Sequence, residues 1–166
     1  MYMNKEQVLS FLPHRDPFLF IDTVQEIILP ESLKGQNGPF SAQQLVGAKT
    51  ICTFKVDSSL KVLEGHFPGD PILPGVVQVE MMAQAASFLG TLCLEKSLSQ
   101  SKLEVALLGV DGARFRRPIV PPMDLVIYST MTKVRGPIQM YDCEIHANGE
   151  LISQTSVMAS LKIHYK

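Results

Sequence analysis

The hydrophobic pattern sets one helical run among several strands. Residues 75–94 are apolar on nearly every helical face, and Glu80 is the one charge between Pro71 and Leu94. A helix that is apolar all round is either buried on every side or spans a membrane. Gln78, Glu80 and Gln84 sit in the middle of the run, where an ionisable group is costly in lipid, and no basic loop flanks it. The pattern therefore predicts a helix wrapped by the rest of the chain, not a membrane span. Pro74 suits its first turn, because the missing N–H would have no intrahelical partner there. The Gly- and Pro-punctuated residues 65–74 predict a turn carrying His66.

The other segments follow period-two or short apolar patterns. Residues 4–12 predict a short amphipathic helix, with Asn4 as N-cap and Pro13 as stop. Residues 18–29 and 48–56 read as strands. Between them, residues 30–47 are polar and rich in Gly and Pro, which predicts an exposed insertion. Residues 95–104 read as a hydrophilic loop. Residues 105–110 read as a short buried strand that residues 113–118 continue past the Asp111-Gly112 turn signal. Residues 125–134 and 139–147 read as strands joined through Arg135-Gly136-Pro137. Asn148-Gly149 is a strong hairpin signal leading into a last strand over residues 150–165. One fully apolar helix with hairpin-linked strands demands an α+β architecture, in which a curved antiparallel sheet wraps the helix. At 166 residues, without repeats or linkers, the chain reads as one domain, residues 1–166.

Composition narrows the function. Lys plus Arg is 15 and Asp plus Glu is 16, so no basic excess is present to meet nucleic-acid phosphate. Near-zero charge with 46% hydrophobic residues points to an oligomer. Cys52, Cys93 and Cys143 lack any CxxC spacing and read as free thiols of a reducing compartment. The N-terminal residues are too polar for a signal peptide, and the expected location is the cytoplasm.

Two residues carry candidate chemistry. Glu80 places a carboxylate inside a core, and burial raises a carboxyl pKa unless a partner holds the charge. His66 stands at the entrance to the same helix. A buried carboxyl is a candidate general acid, and histidine is the commonest general base. Blander readings stand beside these. His66 could cap a turn, and Glu80 could be satisfied by backbone or by Gln84 one helical turn on. His14, in the polar turn His14-Arg15-Asp16, reads as structural.

The stretch His66-Phe67-Pro68-Gly69, Pro71-Ile72-Leu73-Pro74-Gly75-Val76 and Glu80-Met81-Met82-Ala83-Gln84-Ala85 resembles the active-site segment of the FabZ-type (3R)-hydroxyacyl-[acyl-carrier-protein] dehydratases. Leu12-Pro13-His14-Arg15-Asp16-Pro17-Phe18-Leu19 is similar to that family's N-terminal signature. The run from Gly109 through Asp111, Arg114, Phe115, Arg116, Arg117 and Pro118 to Pro121 is similar to its third. The resemblance implies the hotdog fold, homodimers often assembled as trimers of dimers, and no metal or organic cofactor. It implies dehydration of acyl groups carried on the phosphopantetheine of acyl carrier protein. His66 would be the base, and Glu80 of a second copy would be the acid or would hold the hydroxyl. Glu rather than Asp at position 80 favours a dehydratase over the related FabA-type dehydratase-isomerases.

That reaction also needs donors for charge developing on the thioester oxygen. Backbone N–H groups at the helix start can supply them, with Gly75 the first candidate. Gln84 would orient Glu80. Phe67, Ile72, Leu73, Val76 and Val77 could line an acyl tunnel. Arg114, Arg116 and Arg117, with Lys133 and Arg135, could receive phosphate or an acidic carrier, or else form solvated strand faces. The chain departs from the family at Val105-Ala106-Leu107-Leu108, where an aromatic pair with a gating tyrosine is usual. It departs again at Pro121-Pro122-Met123-Asp124 and in the insertion at residues 30–47. The alternatives are a hotdog thioesterase and a non-catalytic acyl-binding paralogue.

Overall fold

The structure, a computed structural model, describes residues 1–165. Helix α1 (Lys5–Phe11) begins in a capping box: the Gln7 N–H donates to Asn4 Oδ1 at 3.0 Å, and the Asn4 N–H donates to Gln7 Oε1 at 2.9 Å. Strands β1 (Thr23–Ile28) and β2 (Lys49–Val56) follow. Helix α2 (Gly75–Ser87) comes next. It is followed by β3 (Ser101–Phe115), β4 (Met123–Arg135), β5 (Ile138–Ala147) and β6 (Glu150–Tyr165). All six strands form one antiparallel sheet in the order β1-β2-β4-β5-β6-β3. This is the α+β, helix-in-sheet arrangement that the sequence predicts.

Alternation builds the concave face. Thr50, Cys52, Phe54 and Val56 of β2 point inward, as do Leu125, Ile127, Ser129 and Met131 of β4 and Tyr141, Cys143 and Ile145 of β5. They meet Met81, Met82, Ala85 and Ala86 of α2. The polar members of this face find helix carbonyls: Thr50 Oγ1 donates to the Ala85 oxygen at 3.0 Å, and Ser129 Oγ to the Met82 oxygen at 3.3 Å. Burial pushes the Cys143 thiol up to about 12 and raises Cys52 and Cys93 as well, so all three remain neutral thiols.

The α-helix is shorter than the apolar run. It ends at Ser87, and a 3-10 segment, Phe88–Cys93, continues it. The segment from Gly75 to Cys93 is long and apolar enough to cross a membrane, yet most of it is buried in the sheet. Phe88 is fully buried, with its ring 5.5 Å from that of Phe11, so α1 closes the end of the core. Phe88→Ala is expected to cost about 3–5 kcal/mol. A lower denaturant midpoint at unchanged slope would show it, and a loss under ~1 kcal/mol would mean that this contact lies outside the cooperative core.

Five expectations are corrected. Strand β1 starts at Thr23, not at residue 18, because the backbone of Phe18 and Phe20 bonds the Gln84 side chain instead of a neighbouring strand. The insertion at residues 30–47 is packed as well as exposed. Leu33, Phe40 and Leu45 are buried, and the Phe40 N–H donates to the Leu92 oxygen at 2.9 Å. Strand β3 starts at Ser101, inside the expected loop, and runs unbroken through a bulge at Asp111–Arg114, where Gly112 has φ +61°. Nor is residues 105–110 a buried strand. As the sheet edge beyond β6, it exposes Leu107, Leu108 and Val110. Helix α2, finally, is not covered all round: Val76 is 79% exposed, and Val79, Glu80 and Ala83 continue a half-covered stripe at helical spacing.

Candidate active site

The turn at His66 is fixed by its own backbone. The Phe67 N–H donates to the Asp70 oxygen, the Asp70 N–H donates back to Phe67, and Gly69 takes the left-handed conformation (φ +78°) between them. The Ile72 N–H donates to the His66 oxygen at 2.8 Å. This fold-back brings the Ile72 carbonyl to 2.7 Å from His66 Nδ1. A carbonyl only accepts, so Nδ1 carries a proton in this contact, and in the neutral ring Nε2 has the free lone pair. Phe67 stacks on the imidazole with ring centroids 4.1 Å apart.

His66 lines a cavity of about 290 Å³ with Gly75, Gln78, Phe115, Arg116 and Arg117. The Leu73 N–H donates to the Ile119 oxygen at 2.9 Å, which ties the end of the turn to the segment after β3 and brings the two arginines here. Arg116 donates to Gln154 Oε1 at 2.9 Å, and Arg117 is paired with Glu150. Arg114 bonds the Ala113 oxygen and is not among the cavity residues. The N–H groups of Gly75 and Val76 open the helix and have no intrahelical acceptor, so they favour negative charge at this mouth. A methyl group on Gly75 would stand 2.9 Å from the Phe115 ring, which explains the glycine. Of the residues read as a tunnel lining, Ile72 and Leu73 reach this cavity. Val77 is in the core, and Val76 and Phe67 face outward.

Glu80 lies elsewhere. It lines a second cavity, of about 110 Å³, with His14, Ala83, Gln84, Ser87, Val105, Leu107 and Ala159. Within one copy, the structure therefore does not bring His66 and Glu80 together. Glu80 Oε1 accepts from Gln84 Nε2 at 2.9 Å and lies 3.2 Å from His14 Nε2. Gln84 in turn accepts from the Phe20 N–H at 2.9 Å and donates to the Phe18 oxygen at 2.9 Å, stapling the loop after α1 to α2.

Burial alone would raise the Glu80 pKa, as expected of an acid. The hydrogen bonds from His14 and Gln84, together with the His14 charge, outweigh it and hold the carboxyl below its ordinary range. Glu80 is thus a carboxylate at neutral pH, with Oε1 held by two donors. The His14 contact is absent from the sequence reading, which treats that residue as structural. The signal was its place in a quoted signature, but nothing in its spacing pairs it with a distant helix.

The FabA-like domain family matches residues 12–156. The 3-hydroxyacyl-[acyl-carrier-protein] dehydratase FabZ of Thiobacillus denitrificans is 34% identical over 164 residues, covering 96% of this chain and 98% of that protein. The bifunctional enzyme LpxC/FabZ of Chlorobaculum tepidum is 34% identical over 154 residues, covering 93% of this chain but only 29% of that longer enzyme. The dehydratase heterocomplex ApeI:P from Xenorhabdus doucetiae shares the fold, with a TM-score of 0.66 at 19% identity over 93% of this chain and 90% of that one. Full-length similarity to a FabZ enzyme, with three signatures in order on a matching fold, means that the chain belongs to the FabA-like family, among its FabZ-type dehydratases.

Proposed function

We propose that the chain dehydrates (3R)-3-hydroxyacyl groups on acyl carrier protein to trans-2-enoyl groups, as a cytoplasmic enzyme of fatty-acid biosynthesis. The observation that carries this reading is the locked tautomer of His66. Its Nδ1–H is held by the Ile72 carbonyl, so Nε2 is a ready base beside a helix N-terminus. In the reaction, Nε2 takes the C2 proton. The thioester oxygen gathers charge and is met by the free N–H groups at Gly75 and Val76. The C2–C3 double bond forms as the C3–O bond breaks. Glu80, ionised and without a proton to give, accepts the hydrogen bond of the C3 hydroxyl and fixes its position. The proton taken by His66 returns on the departing oxygen, which leaves as water. Arg116 and Arg117, at the cavity mouth, suit the phosphate of the carrier's arm.

This reading needs two copies. His66 and Glu80 occupy different cavities of one copy. An apolar surface runs along the free sheet edge, from Leu107, Leu108 and Val110 to Phe115, with Val76 on the exposed stripe of α2. A long, apolar, unpaired edge invites pairing with another strand, and a second copy is the natural partner.

Mass spectrometry of a carrier-bound 3-hydroxyacyl thioester, before and after incubation with the protein, tests the reaction. Loss of water from the intact thioester is expected. Release of free carrier thiol would mark a thioesterase instead. No change with every chain length offered would leave an acyl-binding protein.

A further inference from the structure

We propose that His14 is a positioning residue for Glu80, clamping one carboxylate oxygen together with Gln84 so that the other faces the substrate hydroxyl. The inference rests on the role given to Glu80 above. Both donors meet the same oxygen: Gln84 Nε2 at 2.9 Å and His14 Nε2 at 3.2 Å reach Oε1. A carboxylate has two oxygens, and both contacts fall on one of them. Among the described residues no hydrogen bond reaches the second, and Glu80 lines a cavity with the apolar Val105, Leu107, Ala83 and Ala159 and with Ser87.

The imidazole itself points the same way. Its Nδ1 is buried without a hydrogen-bond partner, so the contact with Glu80 is the one its ring makes among the described residues. A buried ring nitrogen without a partner is uncommon and calls for an explanation. The loop that carries it is held in register by neighbours. Arg15 Nη1 bonds the oxygens of Leu12 and His14 at 2.8 and 2.6 Å, and Gln84 bonds Phe18 and Phe20. The ring is therefore presented to Glu80 by a built segment.

Few charges compete for Glu80. The loop brings His14, Arg15 and Asp16, and Asp16 is paired with Lys61 at 3.1 Å. Strands β3 and β6 present only Val105, Leu107 and Ala159 to the cavity. In the two-copy site, His66 of the second copy is added. Removing the His14 donor leaves Gln84 alone against burial, so the carboxyl should protonate at higher pH than in the wild type.

The test compares His14→Asn, too short to reach Glu80, with His14→Gln, which retains a donor but no charge. Two readouts are taken: kcat and KM across pH, and the titration of the Glu80 carboxyl carbon by 13C NMR without substrate. His14→Asn is expected to lower kcat by about 10- to 100-fold, the worth of one hydrogen bond to a charged group, with KM little changed. It is expected to move the Glu80 titration to higher pH, and His14→Gln to restore most of kcat. An unmoved Glu80 titration in His14→Asn, or a folded His14→Asn protein with wild-type kcat, overturns the proposal. Should Glu80→Gln turn over like wild type, the role assigned to Glu80 has failed, and the NMR titration still decides the His14 contact independently.

Discussion

His66→Ala is expected to lower kcat/KM for a carrier-bound 3-hydroxyacyl thioester by roughly 10²- to 10⁴-fold, the usual contribution of a positioned proton-transfer group. The expectation follows from how the ring is held. With Nδ1–H donated to the Ile72 carbonyl, the imidazole can work only through Nε2. In the mechanism above, it both removes the C2 proton and returns it to the departing oxygen, so no other residue replaces either half of its task. The loss should fall on kcat rather than KM, because the transition state gains more from the base than the bound substrate does. The fold should tolerate the change: the ring is half-buried, on a turn whose backbone bonds remain. Residual turnover above about a tenth of wild type in the folded variant would remove His66 from the chemistry.

How much of this was legible depends on the range of the forces involved. The Asn4 cap, the Asn148-Gly149 hairpin and the alternation of β2 and β4 are local, and the sequence states them. The apolar run at residues 75–94 announced a helix packed in the sheet, and the structure has one, though Val76 and the half-covered stripe at Val79, Glu80 and Ala83 leave one side open. What could not be read was which strand would be left at the edge. Residues 105–110 are as apolar as a core strand, and only the order β5-β6-β3 reveals that they face outward. The proton state of Glu80 was hidden for a related reason. Its burial follows from the helix pattern, but the donors that reverse the effect of burial arrive from His14, far away in the sequence, and from Gln84 on the same helix. The insertion at residues 30–47 reads as solvent-exposed because its composition is polar. Three apolar side chains, Leu33, Phe40 and Leu45, suffice to bind it to the core.

The separation of His66 from Glu80 leads to the other large expected effect. A His66→Ala protein and a Glu80→Gln protein, each nearly inactive alone, should regain activity when coexpressed. In a mixed pair, one site takes His66 from the Glu80→Gln copy and Glu80 from the His66→Ala copy, and is intact. The other site carries both substitutions. Equal, random pairing makes about half of the pairs mixed, each with one working site of two, so recovery to about a quarter of wild-type turnover is expected. Starting from a His66→Ala copy that has lost its proton-transfer group and a Glu80→Gln copy that has lost the charge holding the substrate hydroxyl, that gain is easily read. If both residues served a site within one copy, no combination of these variants could restore it, and the mixture would stay as inactive as its parts. The geometry favours recovery. On α2, Gly75 and Gln78 face the His66 cavity, whereas Glu80, Ala83, Gln84 and Ser87 face the cavity toward β3 and β6. Residues two apart on a helix point in nearly opposite directions, so Glu80 cannot share the side of Gln78. Turning Glu80 toward its own His66 would require breaking the bonds from both His14 and Gln84, whereas a second copy docked on the apolar edge of β3 requires no such break.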